Sequence, residues 1–306
     1  MLHKFRQSPV TWDRDERPRG RADGRRKGLA GRKFAVKDGE DDGSALGWRQ
    51  PQHGVNSARH LHEYGTNFYR FLASFAVRSA QRVVPKLTAV VPVRNVVDFG
   101  CGQGAWLSVW AAAGATVVGV DGPYIDRRGL LIDPGDFHAA DLSAPIDLAR
   151  QFDLVQSLEV AEHLPAAKAG QFVDTLTAHG ACVLFSAAVP GQGGENHVNE
   201  QPLGYWRAIF RERGYSAVDY LRPLISNDAA IARWYRCNVM LYVRDDAVAS
   251  LAEPVRARRV PDVQPIEDYW PLSCRLRHTL VKQLPRRVVD RISRTRGVLA
   301  ARRAGL

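Results

Sequence analysis

The segment Val96-Val97-Asp98-Phe99-Gly100-Cys101-Gly102-Gln103-Gly104-Ala105-Trp106 constrains this chain more than any other. Two β-branched residues lead into Asp-x-Gly-x-Gly-x-Gly, and an apolar, helix-compatible run follows. The pattern predicts a buried strand, a tight glycine turn and a helix. Such a turn needs glycines because the backbone must adopt positive φ or let a ligand approach its N–H groups. Taken alone it is a weak signal, shared by many doubly wound folds.

The downstream spacing sharpens it. Thr116–Asp121 is a second apolar run, and Asp121 lies 23 residues beyond Asp98, where a second strand would present a carboxylate to ribose hydroxyls. His138-Ala139-Ala140-Asp141-Leu142 places a further acid after a short strand, suited to an adenine amino group. A fourth run, Phe152–Glu159, leads into Val160-Ala161-Glu162-His163-Leu164-Pro165. A fifth spans 181–189. A helix is expected over 202–213, with Trp206, Ile209 and Phe210 on its apolar side and Gly214 as its stop. Strands are expected over 215–221 and 237–243, with a short helix over 227–234 between them. The G-x-G-x-G spacing behind an acid disfavours a dehydrogenase, whose glycines are spaced G-x-G-x-x-G.

This ordered series resembles the class I S-adenosylmethionine-dependent methyltransferases over roughly residues 65–245. The residues that carry the resemblance are Asp98, Gly100, Gly102 and Gly104, then Asp121, then Asp141-Leu142, then Ser157-Leu158-Glu159 with Glu162-His163. It implies an α/β, Rossmann-like fold: a seven-stranded, mostly parallel sheet with one antiparallel strand and helices on both faces. It implies S-adenosyl-L-methionine as cofactor. Asp98, Gly100, Cys101, Gly102 and Gly104 would form the turn and methionine end, Asp121 would hold the ribose, and Asp141 with Leu142 would meet the adenine. Ser157 and Glu159 would complete that set at the end of the fourth strand.

The loop after the fifth strand, Ser186–Pro202, holds three glycines together with His197, Asn199 and Glu200. Loops on a rigid scaffold are where reactive groups concentrate. With Tyr205-Trp206 and Trp234-Tyr235-Arg236-Cys237-Asn238, it resembles a bacterial subgroup that modifies sugars, glycans or small metabolites. That subgroup more often has Gln where Cys237 stands. Methyl transfer relies largely on in-line positioning, but an oxygen acceptor also needs a base, and histidine titrates near neutrality. His197 is the first candidate and His163 the second, for a small-molecule acceptor methylated at a hydroxyl. Glu159, Glu162 and His163 could ligate a divalent ion, as quinone-type O-methyltransferases of similar sequence do. The reading adopted is no metal, with Glu162 favouring a helix N-terminus and Glu159 meeting cofactor or backbone.

The net charge of +11 raises the question of nucleic acid, and its distribution answers it. Residues 1–60 hold 14 Lys/Arg against 8 acids, and residues 274–306 hold 10 against 1. The 213 residues between hold 19 against 23, so the central domain lacks the positive face that a phosphate backbone requires. Nucleic acid is therefore an unlikely partner. The division expected is a basic, unstructured extension over 1–58, the methyltransferase domain over 59–248, and a linker with a basic amphipathic tail over 249–306. A helix is expected where Tyr64, Phe68, Phe71, Leu72, Phe75 and Ala76 recur, with Tyr64 and Tyr69 candidates to line the cleft. In the tail, Leu276, Leu280, Leu284, Val288 and Ile292 recur every four residues around Pro285. Two short helices that meet an anionic membrane, a partner or their own domain would fit. The polar N-terminus, unpaired cysteine spacing and lack of an 18-residue apolar run suggest a cytoplasmic protein. Two rivals stand beside the small-molecule enzyme: an RNA or protein methyltransferase docking through the tails, and a cofactor-binding regulator without turnover.

Overall fold

The structure, a computed structural model, describes residues 66–303, with side chains described from 75 to 295 and at 299. Residues 1–65, including the expected extension and Tyr64, lie outside the described residues, as do the side chains of Phe68, Tyr69, Phe71 and Leu72. In chain order the elements are α1 (Thr66–Thr88), β1 (Asn95–Phe99), α2 (Ala105–Ala112), β2 (Thr116–Asp121), β3 (Phe137–Ala139), β4 (Leu154–Leu158), α3 (Ala169–Ala178) and β5 (Cys182–Ser186). They continue with α4 (Leu203–Arg211), β6 (Tyr215–Val218), α5 (Leu221–Ile225), α6 (Arg233–Asn238), β7 (Met240–Arg244), α7 (Glu253–Arg256), α8 (Leu272–Val281) and α9 (Arg286–Arg303).

The strands form one seven-stranded sheet in the order β3-β2-β1-β4-β5-β7-β6. Every neighbouring pair from β3 to β5 is parallel, and β7 runs antiparallel to both β5 and β6. The expected sheet, with its one antiparallel strand, is the one observed. Successive strand residues point to opposite faces, and nearly every strand position is apolar, so both faces carry a core. Val96, Leu154, Leu184 and Leu241 pack under α1, α2, α5 and α6, against Val83, Leu87, Trp110 and Ile225. Val97, Phe99, Val183 and Phe185 pack against Phe172 and Leu176 of α3 and Trp206 and Phe210 of α4. On that second face the Phe210 and Tyr242 rings stack at 3.9 Å.

Three local expectations are corrected. Strands β6 and β7 are shorter than the sequence suggested, because Leu221 opens α5 and Cys237 and Asn238 close α6. The segment expected as one helix over 227–234 is a turn whose Asp228 side chain accepts from the Ala230 N–H, with short helices on either side. The helix expected at Glu162 is a single 3₁₀ turn, Ala161–His163, and α3 starts only at Ala169, beyond Pro165.

Residues 249–281, expected as linker and tail, are packed onto the domain. Val255 is fully buried, and Trp270, Cys274 and His278 are buried as well. Arg222, itself wholly buried, is the fastening. Its guanidinium forms a two-pronged pair with Asp219 at 2.9 and 2.6 Å, and donates to the Cys237 and Glu267 carbonyls. It also lies 5.0 Å from the Tyr269 ring. No helix among the described residues is long and apolar enough to cross a membrane.

Candidate active site

The carboxyl ends of β1, β2, β4 and β5 and the loops that follow them bring most of the expected residues together. Asp98 is next to last in β1, and strand register sets Gln156 of β4 beside it. Gln156 Nε2 donates to Asp98 Oδ2 at 2.8 Å, and Trp110 of α2 donates to Gln156 Oε1 at 3.0 Å. Asp98 Oδ1 is buried without a hydrogen-bond partner among the described residues. Burial pushes its pKa from 3.8 to about 8; the Gln156 hydrogen bond opposes that and the Asp121 charge adds to it.

The glycine turn folds back over the end of β2. The Gly100 and Cys101 N–H groups both donate to the Val120 carbonyl, at 2.7 and 3.3 Å. Gly100 has φ +89°, and a Cβ there would collide with the Val160 side chain, so only glycine fits. Gly102 at φ +54° has nothing within 4 Å of the place a Cβ would occupy, which leaves open space above the turn. Its N–H donates to Asp121 Oδ2 at 2.7 Å. Asp121 Oδ1 accepts from the Gly122 N–H and the Tyr124 hydroxyl. Burial raises the Asp121 pKa against those three bonds. The Cys101 thiol is buried and held neutral by burial and by the two nearby aspartates.

Asp141 stands near Asp121, because the Ala140 N–H donates to the Asp121 carbonyl. Its Oδ1 closes a turn on the Ser143 N–H and hydroxyl, while Leu142 is buried. At the end of β4 the Ser157 hydroxyl is buried without a hydrogen-bond partner among the described residues. Glu159 takes φ +58°, an unusual conformation for a side-chain-bearing residue and one that concentrates at functional sites. Its N–H is fixed by the Ser186 carbonyl and hydroxyl, and its carboxylate accepts from Gln192 at 2.8 Å and Asn238 at 3.3 Å. Asn238 is fully buried and accepts from Trp270 Nε1. Glu159 therefore anchors the loop after β5 to α6 and to the segment before α8.

That loop is organised by Glu200. Its Oε2 accepts from the Gly191 N–H at 2.7 Å, and its Oε1 accepts from the Gly193 N–H at 2.8 Å and lies 2.9 Å from His197 Nδ1. A carboxylate facing Nδ1 fixes a proton there and leaves Nε2 as the lone-pair side of the ring. These bonds hold the Glu200 pKa below its ordinary value although burial opposes them. His163 meets His197 edge to face, 5.0 Å between ring centres. Desolvation and the neighbouring His197 push the His163 pKa down to about 4.

The acidic cluster expected at Glu159, Glu162 and His163 is regrouped. Glu159 is engaged with Gln192 and Asn238, whereas Glu162, His163 and His197 have ligating atoms all within 4.8 Å of one another. Glu162 lies in the single 3₁₀ turn Ala161–His163. It is fully buried, its oxygens have no well-formed hydrogen-bond partner among the described residues, and burial followed by the Glu159 charge raises its pKa. Glu162, His163 and His197 are the donors that could take a divalent ion or share a proton. Sequence reasoning missed Gln156, since an isolated amide inside an apolar run carries no periodic signal, and it met Asn238 only within a motif, without a contact to assign to it.

The chain is similar to known proteins in part of its length. Residues 68–187 match a family described as a methyltransferase domain. The chain is 33% identical over 112 residues to a ubiquinone biosynthesis O-methyltransferase of Ralstonia nicotianae, covering 32% of this chain and 45% of that protein. It is 32% identical over 126 residues to the protein of the same name from Stutzerimonas stutzeri, covering 38% and 49%. The chain thus spans about half the length of the curated relatives it matches. A solved sugar N-methyltransferase from Streptoalloteichus aligns with a TM-score of 0.49 at 16% identity, over 65% of this chain and 99% of that one.

Proposed function

Starting from the class I S-adenosylmethionine-dependent methyltransferase domain that this chain carries, we propose that it methylates a hydroxyl of a small molecule, with His197 as general base. Three features fit the cofactor. The unpaired, buried Oδ1 of Asp98 suits a cationic ammonium group. The open space over Gly102 admits a ligand against the turn, and Asp121 with Asp141 offers carboxylates at neighbouring strand ends. When bound, S-adenosylmethionine supplies an electrophilic methyl group on its sulfonium. Asp98, Gly100, Cys101, Gly102 and Gly104 would line its methionine end, and Asp121 its ribose. Asp141 and Leu142 would meet its adenine, with Ser157 and Glu159 completing the wall.

The observation that carries the choice of acceptor chemistry is the His197–Glu200 pair at 2.9 Å on the loop after β5. Glu200 orients the ring and stabilises the imidazolium formed when Nε2 takes the acceptor's proton. His163, kept neutral at pH 7, packs the ring in place and does not compete as an acid. The acidic balance of the central domain favours a small acceptor over a nucleic acid. The ubiquinone O-methyltransferase relatives support an oxygen acceptor.

Incubating the full chain with methyl-labelled S-adenosylmethionine and a cell extract, followed by size fractionation, tests the reading. Label is expected in low-mass products that are stable to protease and nuclease. Label found only in RNA or protein would favour the rival reading that the basic tails dock a macromolecule. Cofactor binding with no labelled product from any fraction would favour a regulator.

A further inference from the structure

Helices α8 and α9 lie over the loop after β5 and turn an apolar stripe away from it. The inner face is tied down. Arg277 donates to the Gln192 carbonyl, Arg286 to the Val198 carbonyl, and Arg294 pairs with Glu195 at 2.8 Å. Val281 of α8 and Val289 and Ser293 of α9 all converge on the space above Gly193. Cys274 and His278 are the buried positions of α8. Residues 272, 276 and 280 recur at four-residue spacing on the opposite side of α8, and 288, 292 and 299 share the outward side of α9.

Those outward positions are Leu272, Leu276, Leu280, Val288, Ile292 and Leu299, between 42% and 69% exposed. Leu284, in the link between the helices, continues the stripe at 41%. Exposed apolar residues in an unbroken series need an explanation when scattered single ones do not. The charge around them narrows it. Exposed Lys282, Arg287 and Arg291 flank the stripe, Arg275 beside them pairs with Asp268 at 3.2 Å, and residues 274–306 contain a single acid, Asp290, whose carboxylate accepts from the Asn196 N–H on the inner side. A second copy of this face would bring like charges together, and a neutral apolar partner would leave the arginines unmatched. An anionic lipid surface satisfies both the leucines and the cations.

We propose that α8 and α9 form a docking face for anionic membrane, which seats the loop bearing His197 directly behind the lipid surface. This stands independently of which acceptor the enzyme uses. The exposed leucines enter the interfacial region side by side, and the arginines meet lipid phosphates.

Co-sedimentation of the full chain with vesicles tests it, comparing phosphatidylcholine alone with phosphatidylcholine containing phosphatidylglycerol at low salt. Binding is expected only to the anionic vesicles. The double substitution L276E/L280E, on the outer face of α8, is expected to weaken it by about tenfold or more. Far-UV circular dichroism and S-adenosylmethionine affinity report that this variant is folded. Undiminished vesicle binding by L276E/L280E would overturn the proposal, since the basic tail alone would then account for it. Equal binding to neutral vesicles would overturn it too. So would a concentration-dependent dimer, seen by sedimentation velocity without lipid and abolished by the same substitutions.

Discussion

The Asp98→Asn substitution should stabilise the cofactor-free protein while weakening its hold on S-adenosylmethionine. Asp98 is 3% exposed, and its pKa stands at about 8 against an ordinary 3.8. The folded pKa lies above the unfolded one, so the carboxyl favours folding fully only below pH 3.8. That contribution is lost progressively as pH rises and is gone above about 8. At about 1.4 kcal/mol per unit, keeping the carboxyl protonated in this site costs the fold about 4 kcal/mol at pH 7. The asparagine oxygen can still accept from Gln156 Nε2, so the variant removes the charge and keeps the hydrogen bond. Urea unfolding of the cofactor-free proteins at several pH values reads the difference. The variant should gain little near pH 4, about 4 kcal/mol at pH 7, and no more beyond pH 8 to 9. Calorimetry at pH 7 should show weaker cofactor binding by the variant. In the parent, binding should release up to one proton, as the arriving cation favours the carboxylate. A stability gap that does not change between pH 5 and 9, or a variant less stable than its parent at pH 8, would refute the reasoning.

Other substitutions probe separate parts of the argument. His197→Ala should lower turnover about 10²- to 10⁴-fold with cofactor affinity unchanged by calorimetry, and Glu200→Gln should lower it less while altering the pH–rate profile. Gly100→Ala combines positive-φ strain with a collision against Val160; chemical denaturation should show a loss of about 3 kcal/mol, only partly relieved by adding Val160→Ala. Arg222→Met leaves Asp219 without its partner in the interior and should lose about 3–5 kcal/mol in the same assay. Prolonged dialysis against EDTA should leave turnover unchanged; a loss restored by a divalent cation would reassign Glu162, His163 and His197 as its ligands.

Much of the fold was legible because its signals are local. The runs at 96–99, 116–121, 154–158 and 182–186 are apolar at nearly every position, which is what strands covered on both faces require. Glycines 100, 102 and 104, all at positive φ, announce a tight turn, and acids stand at the ends of the first three of these runs. The two helices around Pro285 follow from a fixed-φ residue interrupting a four-residue repeat. Local pattern also misled where neighbours decided the outcome. Leu221 and Cys237 have strand-compatible neighbours, yet both close into helical turns that bring Arg222 and Asn238 into the interior.

The sequence by itself determined the sheet, the glycine turn and the set of carboxylates at strand ends, since backbone conformation and burial period are written in adjacent residues. Only the tertiary structure decided which of those groups touch. Asp98 meets Gln156 through the register of β1 with β4, and Glu159 meets Asn238 across 79 residues of chain. Glu159 leaves the expected cluster and His197 joins Glu162 and His163 in its place, and α8 and α9 turn their leucines outward because their other face is committed to the loop. Such pairings depend on how distant segments cross and compete for the same buried space, and no stretch of neighbouring residues records that competition.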